Sequence, residues 1–300
     1  MRNFFLFLLI FSVTLKSYSQ ESYLNESDTL SAKRVKIVTS LIATNWIAQT
    51  TLAYQIWYKD FPKSSFHLFN DSKEWLQMDK AGHFYTANKL SALYSNCYIW
   101  TGMKPKKAVI LGSILGLASL STLEILDGFN SEWGFSLSDM AANTLGSLSY
   151  ASQKLIWNEE RFILKFSAHP TQYATLRPNV LGSRPAERFF KDYNGQTYWV
   201  SFSPFAFSNT SKLPKWLCLS LGYSVDQKIV GNQNSYVDSK TNLFYSAKRE
   251  MLLSLDIDFS KLPIKKRWLK VIISQFNYLK IPFPTLIFSN GKMIGKGVYF

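Results

Sequence analysis

Apolar residues recur at helical spacing through four segments in the first half of the chain. Ile37 to Tyr58 carries no charge, a length that could just span a bilayer. Thr44, Asn45, Gln49 and Gln55 lie inside it, which suits a helix packed on other helices better than one facing lipid all round. A second helix is expected from about Asp79 to Trp100, where "TGMKP" breaks it. Pro105 fits the first turn of a third, which ends before Asp127-Gly128. A fourth runs from about Ser136 to Trp157. Gly112 and Gly116 are four apart, and Ala142, Gly146 and Ser149 are small, so neighbouring backbones can approach closely.

The period changes after about residue 165. Pro170, Pro178 and Pro185 punctuate a loop carrying Arg177, Arg184, Arg188 and Lys191. Beyond it, Leu217, Leu219, Leu221, Tyr223 and Val225 alternate with more polar neighbours, as do Met251, Leu253, Leu255, Ile257 and Phe259. These are half-buried strand patterns; "TYWVSF", "TLIFSN" and "KGVYF" add strand candidates, about four or five in all. Between them, "KKRWLKVIISQFNYL" puts Trp268, Ile272, Phe276 and Leu279 near one helical face, with Lys265, Lys266, Arg267 and Lys270 clustered at its start. That pattern fits a basic amphipathic helix on a membrane surface as well as a helix covering a sheet. The expected fold is mainly α: a membrane-associated four-helix bundle with a smaller antiparallel strand-rich C-terminal part. Residues 1–19 read as a signal peptide, 20–160 as the helical domain and 161–300 as the strand-rich region with its amphipathic helix. A closed outer-membrane barrel would need more strands than these.

The signal reading rests on Arg2, the short apolar run from Phe4 to Val13, and the small residues Ser17 and Ser19. An exported chain rarely meets nucleic acid, so the net charge of +14 points to anionic lipid headgroups or other envelope polyanions. Cys97 and Cys218 read as two buried thiols or one disulfide. No cysteine follows the signal region, so a lipid-modified N-terminal cysteine is not expected.

The polar residues inside the helices carry the candidate chemistry. Short connections make the second, third and fourth helices antiparallel neighbours. The start of the second, the end of the third and the start of the fourth then meet at one end. This gathers Asp79, Lys80 and His83, Glu124 and Asp127, and Asp139 and Asn143. Asp79 and His83 are four apart, Glu124 and Asp127 three, and Asp139 and Asn143 four, so each pair shares a helix face. His83 would act as general acid or base, oriented by Asp79 or Glu124. Lys80, Asp127, Asp139 and Asn143 would hold substrate or complete the cluster. A divalent cation such as magnesium, manganese or calcium suits oxygen ligands better than zinc does. Each residue also has a structural reading: Asp79 as a helix cap, Ser136 and Asp139 as a capping box, Asp127-Gly128 as a turn. Glu124 is the hardest to explain that way, because it sits near a helix C-terminus, where the helix dipole disfavours an anion. No phosphate-cradling glycine loop, paired CxxC, HExxH or nucleophile elbow is present.

"DKAGHFYTANKLS", the block from Glu124 to Ser147, and the later "YNGQTYWVSF" and "LSLDIDFSKL" resemble the YfiM-like family, a domain of unknown function (DUF 2279) described as a predicted periplasmic lipoprotein. Asp79, Lys80, His83, Asp139, Asn143 and Gly146 are more distantly similar to VanZ-like membrane proteins. The resemblance implies an exported, periplasm-facing, membrane-associated envelope protein of unestablished activity. Binding or processing of a lipid-linked substrate is one reading. A non-enzymatic scaffold or lipid-binding module with a structural polar cluster is the other.

Overall fold

The computed structural model describes residues 26–207 and 214–300; the expected signal peptide lies outside the described residues. Helices dominate the first half: α1 (Ala32–Ala53), α2 (Met78–Trp100), α3 (Pro105–Asp127) and α4 (Leu137–Trp157). The last three match the expected boundaries to within a residue. Pro105 opens α3, and Ser136 caps α4 by accepting the Asp139 backbone N–H at 3.1 Å.

Helices α2, α3 and α4 pack side by side, with α3 antiparallel to both. The small residues explain how closely. A Cβ on Gly112 would collide with the Ser95 backbone, and one on Gly146 with the Phe84 carbonyl. Helix α1 lies on the outer side of α2 and α3, where Val38 and Ile42 join Tyr94, Tyr98 and Ala108. By length and composition α3 could cross a membrane: its mean hydropathy is 1.9, and 33% of that stretch is buried. Cys97 and Cys218 are both free thiols.

The segment from 59 to 77 returns over the end of α3. Lys63 bridges Asn130, and Leu68 bridges Phe135. It enters α2 through three consecutive left-handed residues, Trp75, Leu76 and Gln77, with φ of 48°, 52° and 65°. Later residues hold each one: Trp75 N–H donates to the Gly231 carbonyl, Tyr223 Oη to the Leu76 carbonyl, and Arg249 to the Gln77 side chain.

The C-terminal part contains more sheet than the expected four or five strands. Strands β1 (Phe162–Ala168), β2 (Gln196–Phe202), β3 (Leu217–Asp226), β6 (Lys248–Ile257), β7 (Phe283–Ser289) and β8 (Lys292–Tyr299) form one six-stranded antiparallel sheet in that order. A separate pair, β4 (Ser235–Val237) with β5 (Phe244–Ser246), stands beside it. Sequence reading missed β1 because Phe162, Ile163 and Leu164 are three apolar residues in a row, which leaves only a short alternation after them. Two short helices, α5 (Pro178–Leu181) and α6 (Pro185–Lys191), lie between β1 and β2, and α7 (Arg267–Ser274) precedes β7. The expected amphipathic helix is therefore α7 followed by a 3-10 turn over Gln275–Tyr278.

The buried side of the sheet mixes an apolar cluster of Trp199, Leu252, Ile287 and Tyr299 with an unusual run of polar groups. A half-buried strand ordinarily turns its apolar set inward, but here Ser201, Ser220, Ser254 and Thr285 line up on the buried side. Lys165 and Asp256 form an ion pair of 3.0 Å with both side chains fully buried. Lys165 Nζ also donates to the Ile257 carbonyl, and Ser201 Oγ to Asp256. Leu219, Leu221, Met251 and Leu255 point outward and are exposed. The two halves meet where Tyr85 of α2 packs on Phe166 and Tyr198 and donates to the Tyr278 carbonyl at 2.8 Å.

Candidate functional site

The end of α3 and the starts of α2 and α4 bring together most of the polar residues singled out in the sequence. Lys80 Nζ lies 2.9 Å from Asp139 Oδ1 and 3.2 Å from Asp79 Oδ2. His83 Nε2 faces Asp79 at 3.8 Å and Asp139 at 3.9 Å, and its Nδ1 lies 3.5 Å from Glu124 Oε1. The same Nδ1–H donates to Asn143 Oδ1 at 3.1 Å. With carboxylates on one ring nitrogen and an amide oxygen on the other, the surroundings favour an imidazolium.

Sequence reading missed three members. Asp71 accepts Lys80 Nζ at 2.6 Å and the hydroxyls of Ser136 and Ser138 at 2.6 and 2.8 Å. Nothing in "NDSKEW" marks it; only the Leu68–Phe135 bridge carries that loop to the start of α4. Tyr193 Oη donates to Asp79 Oδ1 at 2.7 Å from 114 residues away. In the sequence it stands only within "YNGQTYWVSF", one of the stretches that carry the family resemblance. Tyr58 lies beside Asp127 and donates to the Leu123 carbonyl at 3.4 Å, and Asp127 sits at the cluster's margin rather than among its ion pairs. Asp79 does not cap α2; the residue before the helix, Gln77, makes no side-chain cap. It lies in the first turn, where the helix dipole favours an anion.

Burial and charge shift most of these groups upward and two of them downward. Burial opposes the His83 charge, yet Asp79, Asp139 and Glu124 outweigh it and raise the pKa to about 9. Burial raises Glu124 to about 8, which His83 only partly offsets. Burial likewise raises Asp127 to about 7, and Asp139 to about 7 with help from Asp79. Asp71 goes the other way: hydrogen bonds from Asp139, Lys80 and Ser136 overcome its burial and bring it to about 2. Asp79 is lowered as well, since His83 and Lys80 outweigh its burial. Lys80 Nζ bridges the Asp71 and Asp139 carboxyls, at 2.6 and 2.9 Å.

Glu124 is 1% exposed, and neither of its oxygens has a hydrogen-bond partner. Asn143 Nδ2 is likewise buried without one. These unpartnered atoms face His83 from the inner side, while the Asp79 side has residual access, with the Asp79 and His83 side chains 26% and 19% exposed. One donor atom each from Asp79, His83 and Asp139 lies within 4.8 Å of the others, a spacing a divalent cation could use. Lys80 already sets an ammonium between two of those carboxylates, so the cluster has a neutralising cation of its own.

The fold and cluster define a helical protein with a buried acid–base constellation at one helix end, braced by a C-terminal sheet. Residues 67–153 match the family model described as predicted periplasmic lipoprotein (DUF2279), the family the sequence resembles. That description supports an exported, periplasm-facing protein and leaves its activity open. The matched segment contains Asp71, Asp79, Lys80, His83, Glu124, Asp127, Asp139 and Asn143, whereas Tyr58 and Tyr193 lie outside it. No curated protein and no solved structure matches the chain.

Proposed function

We propose that the chain is a membrane-associated envelope protein whose His83–Glu124 pair transfers protons to or from a lipid-linked substrate. In this reading α1 completes a four-helix bundle, and the substrate approaches from the open Asp79 side. The supporting observation is the Glu124 carboxyl, buried, unpartnered and 3.5 Å from His83 Nδ1. Its pKa of about 8 lies close to that of His83 at about 9, so a proton passes between them at little cost. Near pH 7 both hold a proton. His83 then gives its Nε2 proton to the substrate and regains one from solvent on the Asp79 side, while Glu124 stays beside the Nδ1–H that is held on Asn143. Asp79 and Asp139 keep the ring charged, Asn143 fixes its orientation, and Lys80 positions the acids. A divalent cation among Asp79, His83 and Asp139 would require a neutral ring and displacement of Lys80, so it would replace this acid and not assist it.

The competing reading is a scaffold or lipid-binding module, and Lys80's pairing with three aspartates favours it, since that network is self-sufficient. Complementation of a gene deletion separates the two. The His83→Gln chain is expected to reach normal abundance and fail to complement. Full complementation by a chain with Glu124→Leu and His83→Phe together would overturn the acid–base reading.

A further inference from the structure

The exposed aliphatic face of the sheet calls for a partner on its outer side. Leu164, Val200, Leu221, Leu253 and Leu286 are successive register neighbours across five strands. Phe162, Phe202, Leu219 and Leu255 form the parallel row beside them. Neither row contains a charge, and Leu221 is 53% exposed and Leu255 44%. The inner face carries the serines and the Lys165–Asp256 pair beside a buried cluster of Trp199, Leu252, Ile287 and Tyr299. A charge-free, exposed aliphatic outer face over an inner face that already holds its own apolar cluster and buried polar groups has the character of a strand surface in contact with hydrocarbon.

That surface continues onto the helices. A groove of about 340 Å³ between the sheet and the end of α4 is lined by Phe84, Ile156, Trp157, Phe162, Leu164 and Val200. From it, Leu148 and Leu145 extend the exposed apolar stripe along α4, and Ile114 and Ile110 do so on α3. Residues 108–123 and 140–153 carry no charge.

The border is basic and aromatic. Lys104, Lys106 and Lys107 are exposed at the start of α3, the end at which α4 finishes. Helix α7 exposes Trp268 and Val271 beside Lys265, Lys266 and Lys270. The turn before it is tied to the end of α4 by the Lys261–Glu159 ion pair. Apolar side chains flanked by lysines and tryptophan match an anionic bilayer: acyl chains meet the aliphatic face, and headgroups meet the ammonium groups. Two copies of this chain would instead bring like charges together at that border.

We propose that the outward face of the β-sheet, together with the α4 stripe, rests on the acyl layer of an anionic membrane, with α7 and the α3 lysines at headgroup level. This rests on the membrane association in the reading above and not on the His83 chemistry.

The test uses the full chain in phosphatidylcholine–phosphatidylglycerol vesicles. A polarity-sensitive fluorophore is placed at Leu221→Cys, Leu255→Cys or the exposed loop position Lys240→Cys, and the parent chain supplies the background from Cys97 and Cys218. Nitroxide-bearing lipids are expected to quench positions 221 and 255 at least two-fold, while aqueous iodide quenches only position 240. Quenching of 221 and 255 by iodide would overturn the proposal. Shielding from both quenchers with disulfide-linked dimers through 221 would overturn it in favour of a second copy. Complementation by the His83→Gln chain tests the acid–base reading separately, so either can fail alone.

Discussion

Asp79→Asn probes the cluster most directly. The substitution keeps size and shape, and the new amide oxygen still accepts from Tyr193, so the fold around it should hold. It removes the carboxylate that contributes most to the raised His83 pKa. A charge pair at 3.8 Å is worth about 4 kcal/mol at an effective dielectric near 20. Both side chains are about a fifth to a quarter exposed, and solvent screening roughly halves that figure. About 2 kcal/mol corresponds to roughly 1.5 pKa units. His83 should therefore titrate near 9 in the parent and near about 7.5 in the variant. The chain has 3 histidines, so an NMR titration of histidine labelled with carbon-13 at Cε1 resolves them, with His83→Gln assigning the signal. A parent value near 6.5, or a change below about half a unit in Asp79→Asn, would refute the electrostatic account.

The pH dependence of stability follows from the same groups. His83 has its folded pKa raised from 6.5 to about 9, so its contribution is fully present below 6.5 and lost as pH rises through 9. Glu124, Asp127 and Asp139 are also raised and act with the same sign. The thermal midpoint should fall from about pH 4 to about 9, and His83→Gln should flatten the part between 6.5 and 9, with up to about 3 kcal/mol at stake for the histidine alone. Lys165→Met strands Asp256 in a dry interior and should cost about 3–5 kcal/mol in denaturant unfolding, whereas adding Asp256→Leu should recover most of it. Gly146→Val forces a branched side chain against the Phe84 carbonyl and should lower the melting temperature through about 1–3 kcal/mol of overpacking or more. Unchanged melting there would mean that α2 and α4 do not approach as closely as described.

The helices were legible because their signals are local. Pro105, Ser136 and the Asp127-Gly128 turn mark ends, and the apolar spacing marks lengths. Antiparallel packing then follows from short connections, and that was enough to bring His83 to Glu124, Asp79 and Asp139. Asp71 and Tyr193 were not legible as site members, because their positions depend on a bridge between loops and on the docking of a distant segment. The sheet shows a different limit. Alternation in β3 and β6 establishes that a strand has two unlike faces, but it does not say which one is covered. Inward Ser201 and Ser220 and outward Leu219 and Leu221 follow from where the rest of the chain lies, which a period of two cannot encode.

The left-handed run at Trp75, Leu76 and Gln77 makes the two halves mutually dependent. Each such residue costs about 1–2 kcal/mol without glycine, and the hydrogen bonds that offset it come from Tyr223, Gly231 and Arg249. A fragment ending at residue 160 would lack those partners, so the chain should relax there and swing the first turn of α2, with Asp79 and Lys80, out of alignment. A free-standing helical fragment would need glycine or asparagine at these positions to keep its acids and imidazole in place.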